Sequence, residues 1–197
     1  MHQVATLPPR EDGYLRKKLS LAECRFLTSG GFLEPGKFEL IEGEIVYKTG
    51  QGRIHILTVT RSIAALITIF GIDSIQSQAQ IGIGENDPFN DPEPDVAVVR
   101  GDLKGYVERE PDPASDILLV VEVSLSSLFG DRTTKASLYA KHGVPEYWVV
   151  AIGTRQLIVF RQPTNEGYAD IQTYDEEDLV SPLSAPDSAV SVFGLLP

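Results

Sequence analysis

One cysteine (Cys24), three histidines and one tryptophan are present in 197 residues. A lone thiol excludes a disulfide framework and a thiolate zinc site. His2, His55 and His142 show no ligand spacing, so any metal would be held by oxygen, which favours magnesium, manganese or calcium. Positive charge is also scarce: 17 Lys and Arg stand against 28 Asp and Glu, a net charge of −11. That balance argues against bulk attraction to phosphate or anionic lipid, while leaving room for a local basic patch or a site whose charge a cation inverts. Long apolar runs are missing as well. The longest, around Ile63 to Phe70, is too short to cross a bilayer, and MHQVATLPPR carries no apolar signal core. A cytoplasmic protein without membrane contact is the expectation.

What is present suits one domain, with 42% hydrophobic residues to build a core. Residues 1–18 read as a flexible leader and 19–197 as the domain. SLAECRFLTSGG opens on a capping box, Ser20 with Glu23, and ends at paired glycines. KFELIEGEIVY reads as a hairpin turning at Glu42–Gly43. Apolar spacing from Ile54 to Phe70 predicts a helix. SIQSQAQIGIG alternates like a strand, with Ile75, Ser77, Ala79 and Ile81 on one face. DVAVVR and Ile117–Ser124 are strands, and DRTTKASLYAKHG is a helix with Asp131 as candidate N-cap and Gly143 as stop. PEYWVVA and QLIVFRQ follow as strands, and the tail adds one or two edge strands. The class is α/β: a mixed sheet flanked by helices, in the order helix, three strands, helix, strand, after an N-terminal helix and hairpin. Ile117 to Val150 forms a strand–helix–strand unit with parallel strands.

Two acids stand out against this pattern. Glu122 lies inside LLVVEVSLSS, on one strand face with Leu118, Val120 and Ser124. Asp95 begins the β-branched run of PEPDVAVVR. An unpaired buried carboxylate costs several kcal/mol or takes up a proton. If the two strands are antiparallel neighbours, the start of one meets the end of the other and the carboxylates converge. Without cysteine or histidine help, such a pair suits a hard cation that activates water beside a phosphate. Each has a plainer reading: Asp95 as a turn cap after Pro94, Glu122 as an edge-strand acid facing solvent.

PEPDVAVVR, VVEVSLSSLFGDRTTKASLYAKHG, VPEYWVV and FELIEGEIV, together with His55 opening the next helix, resemble the Uma-type restriction endonuclease family of the PD-(D/E)XK nuclease superfamily. The resemblance covers about Phe38 to Phe160. It implies a restriction-endonuclease-like fold and a magnesium- or manganese-dependent endonuclease acting on DNA. Asp95 and Glu122 would then be catalytic metal ligands, joined by an acid of the ELIEGE hairpin, Glu39 in preference to Glu44. The superfamily's lysine position, two residues after the second acid, is Ser124 here. The resemblance implies that the catalytic lysine has moved to the following helix, where Lys135 stands in a stripe with Asp131 and Tyr139.

Other readings stay open. On the residues alone Lys135 reads as an exposed helix lysine, Asp131 as a cap in preference to a ligand, Tyr139 as a core residue with a bonded hydroxyl, and His55 as a helix-end residue in preference to a general base. Gln78 and Gln80 flank the site strand. For an acidic protein, DNA affinity would come from a few cations, such as Arg100, Lys104, Arg132 and Lys135, and from pairing two subunits as a homodimer around the duplex. The rival functions are a non-catalytic nucleic-acid-binding or regulatory module on the same fold, and an interaction protein whose acids are structural.

Overall fold

The computed structural model describes residues 6–7, 15–48, 52–83, 87–101 and 114–197. Most of the leader falls outside that set, but within it β1 (Thr6–Leu7) and β2 (Arg16–Lys17) pair antiparallel. Helix α1 (Leu21–Ser29) starts on the expected capping box. The Ser20 side chain accepts the Glu23 N–H, and Glu23 Oε2 accepts the Ser20 N–H at 2.9 Å. β3 (Phe38–Ile41) and β4 (Glu44–Tyr47) form a separate hairpin whose turn residues, Glu42 and Gly43, have φ of 52° and 84°. Two consecutive positive φ angles make the turn that matches strand twist. Gly43 is also required by space: a Cβ there would lie 2.7 Å from Lys18 Cβ.

The centre of the molecule is a six-stranded mixed sheet in the order β10-β9-β8-β7-β6-β5. Its strands are β5 (Ile75–Ser77), β6 (Val96–Val99), β7 (Ile117–Ser124), β8 (Glu146–Ala151), β9 (Gln156–Thr164) and β10 (Gly167–Tyr174). β7 and β8 are parallel and every other pair is antiparallel. Helix α2 (Arg53–Phe70) covers one face, where Val59 and Leu66 join Val98, Val121 and Trp148 in the core. It is the one described helix long and apolar enough to cross a membrane, yet here it packs on the sheet. The tail makes a small β11–β12 ribbon (Leu179–Val180 with Val190–Ser191) and a last turn, Val192–Leu195, packed on α2.

The other face is covered by helix α3, which runs without a break through Leu128–Gly130, Asp131–Lys135 and Ala136–Lys141. Tyr139 from α3 sits 5.0 Å from the Tyr147 ring, and Tyr147 sits 5.3 Å from Phe160. These buried aromatic contacts fix the helix on the sheet. Gly143, with φ of 76°, ends it as expected. One buried acid, Glu146, is fully satisfied: it accepts from Trp148 Nε1, Arg161 Nε and Nη2, and the Leu183 N–H.

Two local expectations are corrected. The SIQSQAQIGIG segment pairs only over Ile75–Ser77. Gln78 takes a φ of 50° and turns its N–H to the Pro94 and Asp95 carbonyls, so the ladder stops, although Ile81 and Ile83 remain buried. In β7 the register shifts opposite Val98/Val99, leaving Leu118 without a partner. That bulge turns Leu118 toward the α2 core and Ile117 toward the α3 core, opposite to simple alternation.

Candidate active site

The pairing of Val96 with Val121 brings Asp95, just before β6, beside Glu122 near the end of β7. Both carboxylates are buried. Asp95 Oδ2 accepts the Val123 N–H at 2.8 Å, and His55 Nε2, from the first turn of α2, lies 3.0 Å from Asp95 Oδ1. Glu122 Oε1 accepts from Lys135 Nζ at 2.8 Å and from the Tyr139 hydroxyl at 3.1 Å. The same ammonium reaches Glu39 Oε2 at 2.9 Å, so the β3–β4 hairpin is tied to the sheet through Lys135. Glu39, His55, Asp95, Glu122, Asp131 and Lys135 all line one cavity of about 660 Å³.

Lys135 reaches this point because α3 is not a regular helix. Residues Asp131–Lys135 form a π turn, in which the Ala136 N–H bonds back to the Asp131 carbonyl. Such turns hold an extra residue and re-aim side chains. This one is pinned from outside by the buried Tyr147 hydroxyl, which also donates to the Asp131 carbonyl at 3.0 Å. Asp131 is therefore not the N-cap its sequence position suggested; it is buried inside the helix. Its Oδ2 accepts from Ser124 Oγ at 2.5 Å and Ser127 Oγ at 2.6 Å. Ser124, at the strand position where the superfamily has lysine, thus spends its hydroxyl holding the helix that carries Lys135.

Burial pushes the Glu122 carboxyl up, to about 8; the Lys135 ammonium pulls the other way, and Asp95 and Glu39 add to the rise. Burial also opposes the charge of Lys135, but Glu122 and Glu39 outweigh it and hold the ammonium above its ordinary value. His55 is raised by its hydrogen bond to Asp95, against the effect of burial. A group raised on folding stabilises fully below its unfolded value and stops doing so as pH passes its folded value. For Glu122 that window runs from about 4.5 to about 8, and for His55 it opens at about 6.5. The metal-free protein is therefore expected to melt at falling temperature from about pH 5 to about pH 9, with a shallower fall in Glu122→Gln. A flat or rising melting temperature over this range would contradict the assignment of Glu122 as a buried, raised acid.

The donor set suits a hard cation, being carboxylate oxygen with one imidazole nearby. Glu122 Oε2 takes no hydrogen bond among the described residues, and each Asp95 oxygen keeps a lone pair beyond the bond it already accepts. Asp95 and Glu122 thus fit as ligands, with water filling the remaining positions. Among the described residues no three His, Cys, Asp or Glu side chains are already gathered as a metal cluster. Glu39 is engaged by Lys135 and by the Glu93 N–H at 3.3 Å, so joining a shell would mean exchanging a bond.

The remaining candidates divide. Tyr139 is core with its hydroxyl bonded, as expected. Gln78 and Glu44 line the cavity, while Gln80 bonds Asp91. Arg132 is exposed on α3. Arg100 follows β6 at the end away from Asp95, roughly 17 Å along the strand, and is no part of the site. Lys104 lies outside the described residues. The Ser124–Asp131–Ser127 link was not foreseen, because spacing alone does not reveal a π turn. The contact of His55 with Asp95 had a signal, in that a helix entering just ahead of three strands delivers its first turn to the sheet's end.

The family described as "Uma2: Putative restriction endonuclease" matches residues 26–192 of this chain. Among solved structures, the chain is similar to "a putative nuclease belonging to DUF820" from Anabaena variabilis ATCC 29413, with a TM-score of 0.67 and 18% identity over 90% of this chain and 97% of that one. None of the curated proteins matches. At that identity the structural likeness establishes the restriction-endonuclease-like fold and leaves the chemistry to the side chains.

Proposed function

This chain belongs to the Uma2 family, and from that premise we propose that it is a magnesium- or manganese-dependent endonuclease hydrolysing DNA phosphodiester bonds. The observation that carries the proposal is the Lys135 ammonium, half-buried and held between Glu122 and Glu39 in the cavity that Asp95 also enters. A structural ion pair needs one acid; here several acids and a helix-borne lysine meet at an open cleft. Perturbed groups collected in a cleft are the pattern expected of a working site.

In this reading Asp95 and Glu122 hold the cation. When bound, it would lower the pKa of a water and offset charge developing on the phosphate. Lys135, kept protonated by its acid neighbours, donates hydrogen bonds to the attacking water or to a phosphate oxygen. Tyr139 and the Val123 N–H orient Glu122 and Asp95. His55 acts as a positioning residue that fixes Asp95 Oδ1. Ser124, Ser127 and Asp131 hold α3 in register beneath the lysine.

The experiment is plasmid nicking with magnesium or manganese against excess chelator, with thermal melts alongside. Cleavage is expected only with metal, and manganese should raise the melting temperature, by about 2.7 kcal/mol of stabilisation at a hundredfold excess over Kd. Nucleic-acid binding without metal-dependent cleavage would favour the binding module on the same fold. A melting temperature indifferent to metal would remove the cation from the scheme.

A further inference from the structure

We propose that the mouth of this cavity takes unpaired nucleotides, so that the preferred substrate is single-stranded or locally melted DNA in place of an intact duplex. The inference deepens the nuclease reading by naming the form of its substrate. It starts from side chains that the chemistry leaves unused. Tyr47 is 64% exposed and Phe129 83% exposed, and both line the cavity. Val46 and Leu125 line it too and are likewise exposed. These residues come from separate places: Val46 and Tyr47 from β4, Leu125 from the loop after β7 and Phe129 from the start of α3. A cleft built for acid and lysine chemistry has no need of two open aromatic rings at its rim.

Charge narrows what those rings can be for. The chain carries a net charge of −11, and the lysines at the cavity are committed: Lys135 to Glu122 and Glu39, and Lys48 to Glu93 at 2.5 Å. Duplex binding through a broad phosphate footprint needs many uncommitted cations. Single strands offer a second source of affinity. Their base faces are open, and stacking on an aromatic ring contributes about 1–3 kcal/mol per base whatever the sequence. In a duplex those faces are covered by the neighbouring base pairs. The cavity, at about 660 Å³, is in the range that holds a small organic ligand and so has room for a nucleotide unit. Exposed aromatic rings, cavity lysines already paired with acids and a nucleotide-sized opening at an acid–lysine cluster agree on an unpaired strand.

The test separates binding from chemistry. Anisotropy of a fluorescein-labelled oligothymidylate and of a matched blunt duplex is measured in excess chelator, where no cleavage is expected. The single strand should bind about tenfold or more tightly than the duplex. Tyr47→Ala and Phe129→Ala should each weaken single-strand binding by about fivefold or more, in line with loss of one stacked base. Tyr47→Phe, which keeps the ring, should retain it. Phe193→Ala removes an exposed aromatic that does not line the cavity and should change nothing. Equal or tighter duplex binding, or rim variants that bind as wild type, would overturn the proposal. So would Tyr47→Ala converting a dimer to a monomer in sedimentation without altering strand affinity, since the rim would then be a contact between copies. Strand binding through the rim with no metal-dependent plasmid cleavage would defeat the nuclease reading and leave the rim standing; cleavage with no single-strand preference would do the reverse.

Discussion

Asp95→Asn and Glu122→Gln are each expected to lower metal-dependent plasmid cleavage by about 100- to 1000-fold, the scale on which losing one preorganised polar group at a reacting centre is felt. Both substitutions keep the side chain's shape and remove its charge. Asn at 95 can still accept the Val123 N–H, and Gln at 122 can still accept from Tyr139, so the strand pairing that sets the site survives. What is lost is the anionic ligand pair. Circular dichroism and melting curves establish that the variants are folded, and nicking assays read the effect. Near-wild-type cleavage by both folded variants would sink the assignment of these acids.

Lys135→Met should have two separable consequences. Turnover should vanish, while manganese affinity, read from the melting shift, should hold or rise, because an ammonium competing for the same carboxylates is gone. Stability without metal should fall by about 3–5 kcal/mol near pH 9, where the buried Glu122 has lost the partner that offset its charge. Much of that loss should be recovered near pH 5. Removing the ammonium raises Glu122 further, and a raised acid stabilises below its unfolded value, not above its folded one. A companion variant addresses the lysine's location: Ser124→Lys in a Lys135→Ala background returns an ammonium to the strand, within reach of Asp131, whose Oδ2 lies 2.5 Å from the present Ser124 hydroxyl. Partial return of cleavage is expected. If Lys135→Ala alone still cleaves at wild-type rates, the helix lysine has no part in the reaction.

The sequence carried the frame of this molecule well, because its signals are local. The capping box at Ser20, the hairpin turn at Glu42–Gly43, the apolar spacing of α2 and the strand–helix–strand unit each depend on residues a few positions apart. The convergence of Asp95 and Glu122 followed from one assumption, antiparallel neighbours, which the sheet satisfies. The misses arise where tertiary contacts override alternation or spacing. Gln78 leaves the strand because its N–H finds the Pro94 and Asp95 carbonyls. Leu118 changes face at a bulge that pairing alone defines. Asp131 is read as a cap because Asp favours that position, yet two serine hydroxyls and the pinned π turn draw it inside. Ser124 carries no hint in its own sequence that it faces Asp131, and the aromatic rim is invisible until the hairpin and α3 are placed beside one cavity.

The π turn also gives α3 a phase as well as a length. A regular helix turns about 100° per residue, so an extra residue held in the turn offsets everything before it from everything after it. Tyr139 and Leu138 lock the later half to the sheet, and Ser124 with Ser127 locks the earlier half through Asp131. Thr133, exposed and with its hydroxyl donated to the Phe129 carbonyl, can change identity at little expense. Deleting it is another matter. The helix would close into an ordinary spiral, and either Asp131 would swing away from its serines or Lys135 from its acids. For this stretch of chain, variation in residue type is tolerated where variation in residue number is not.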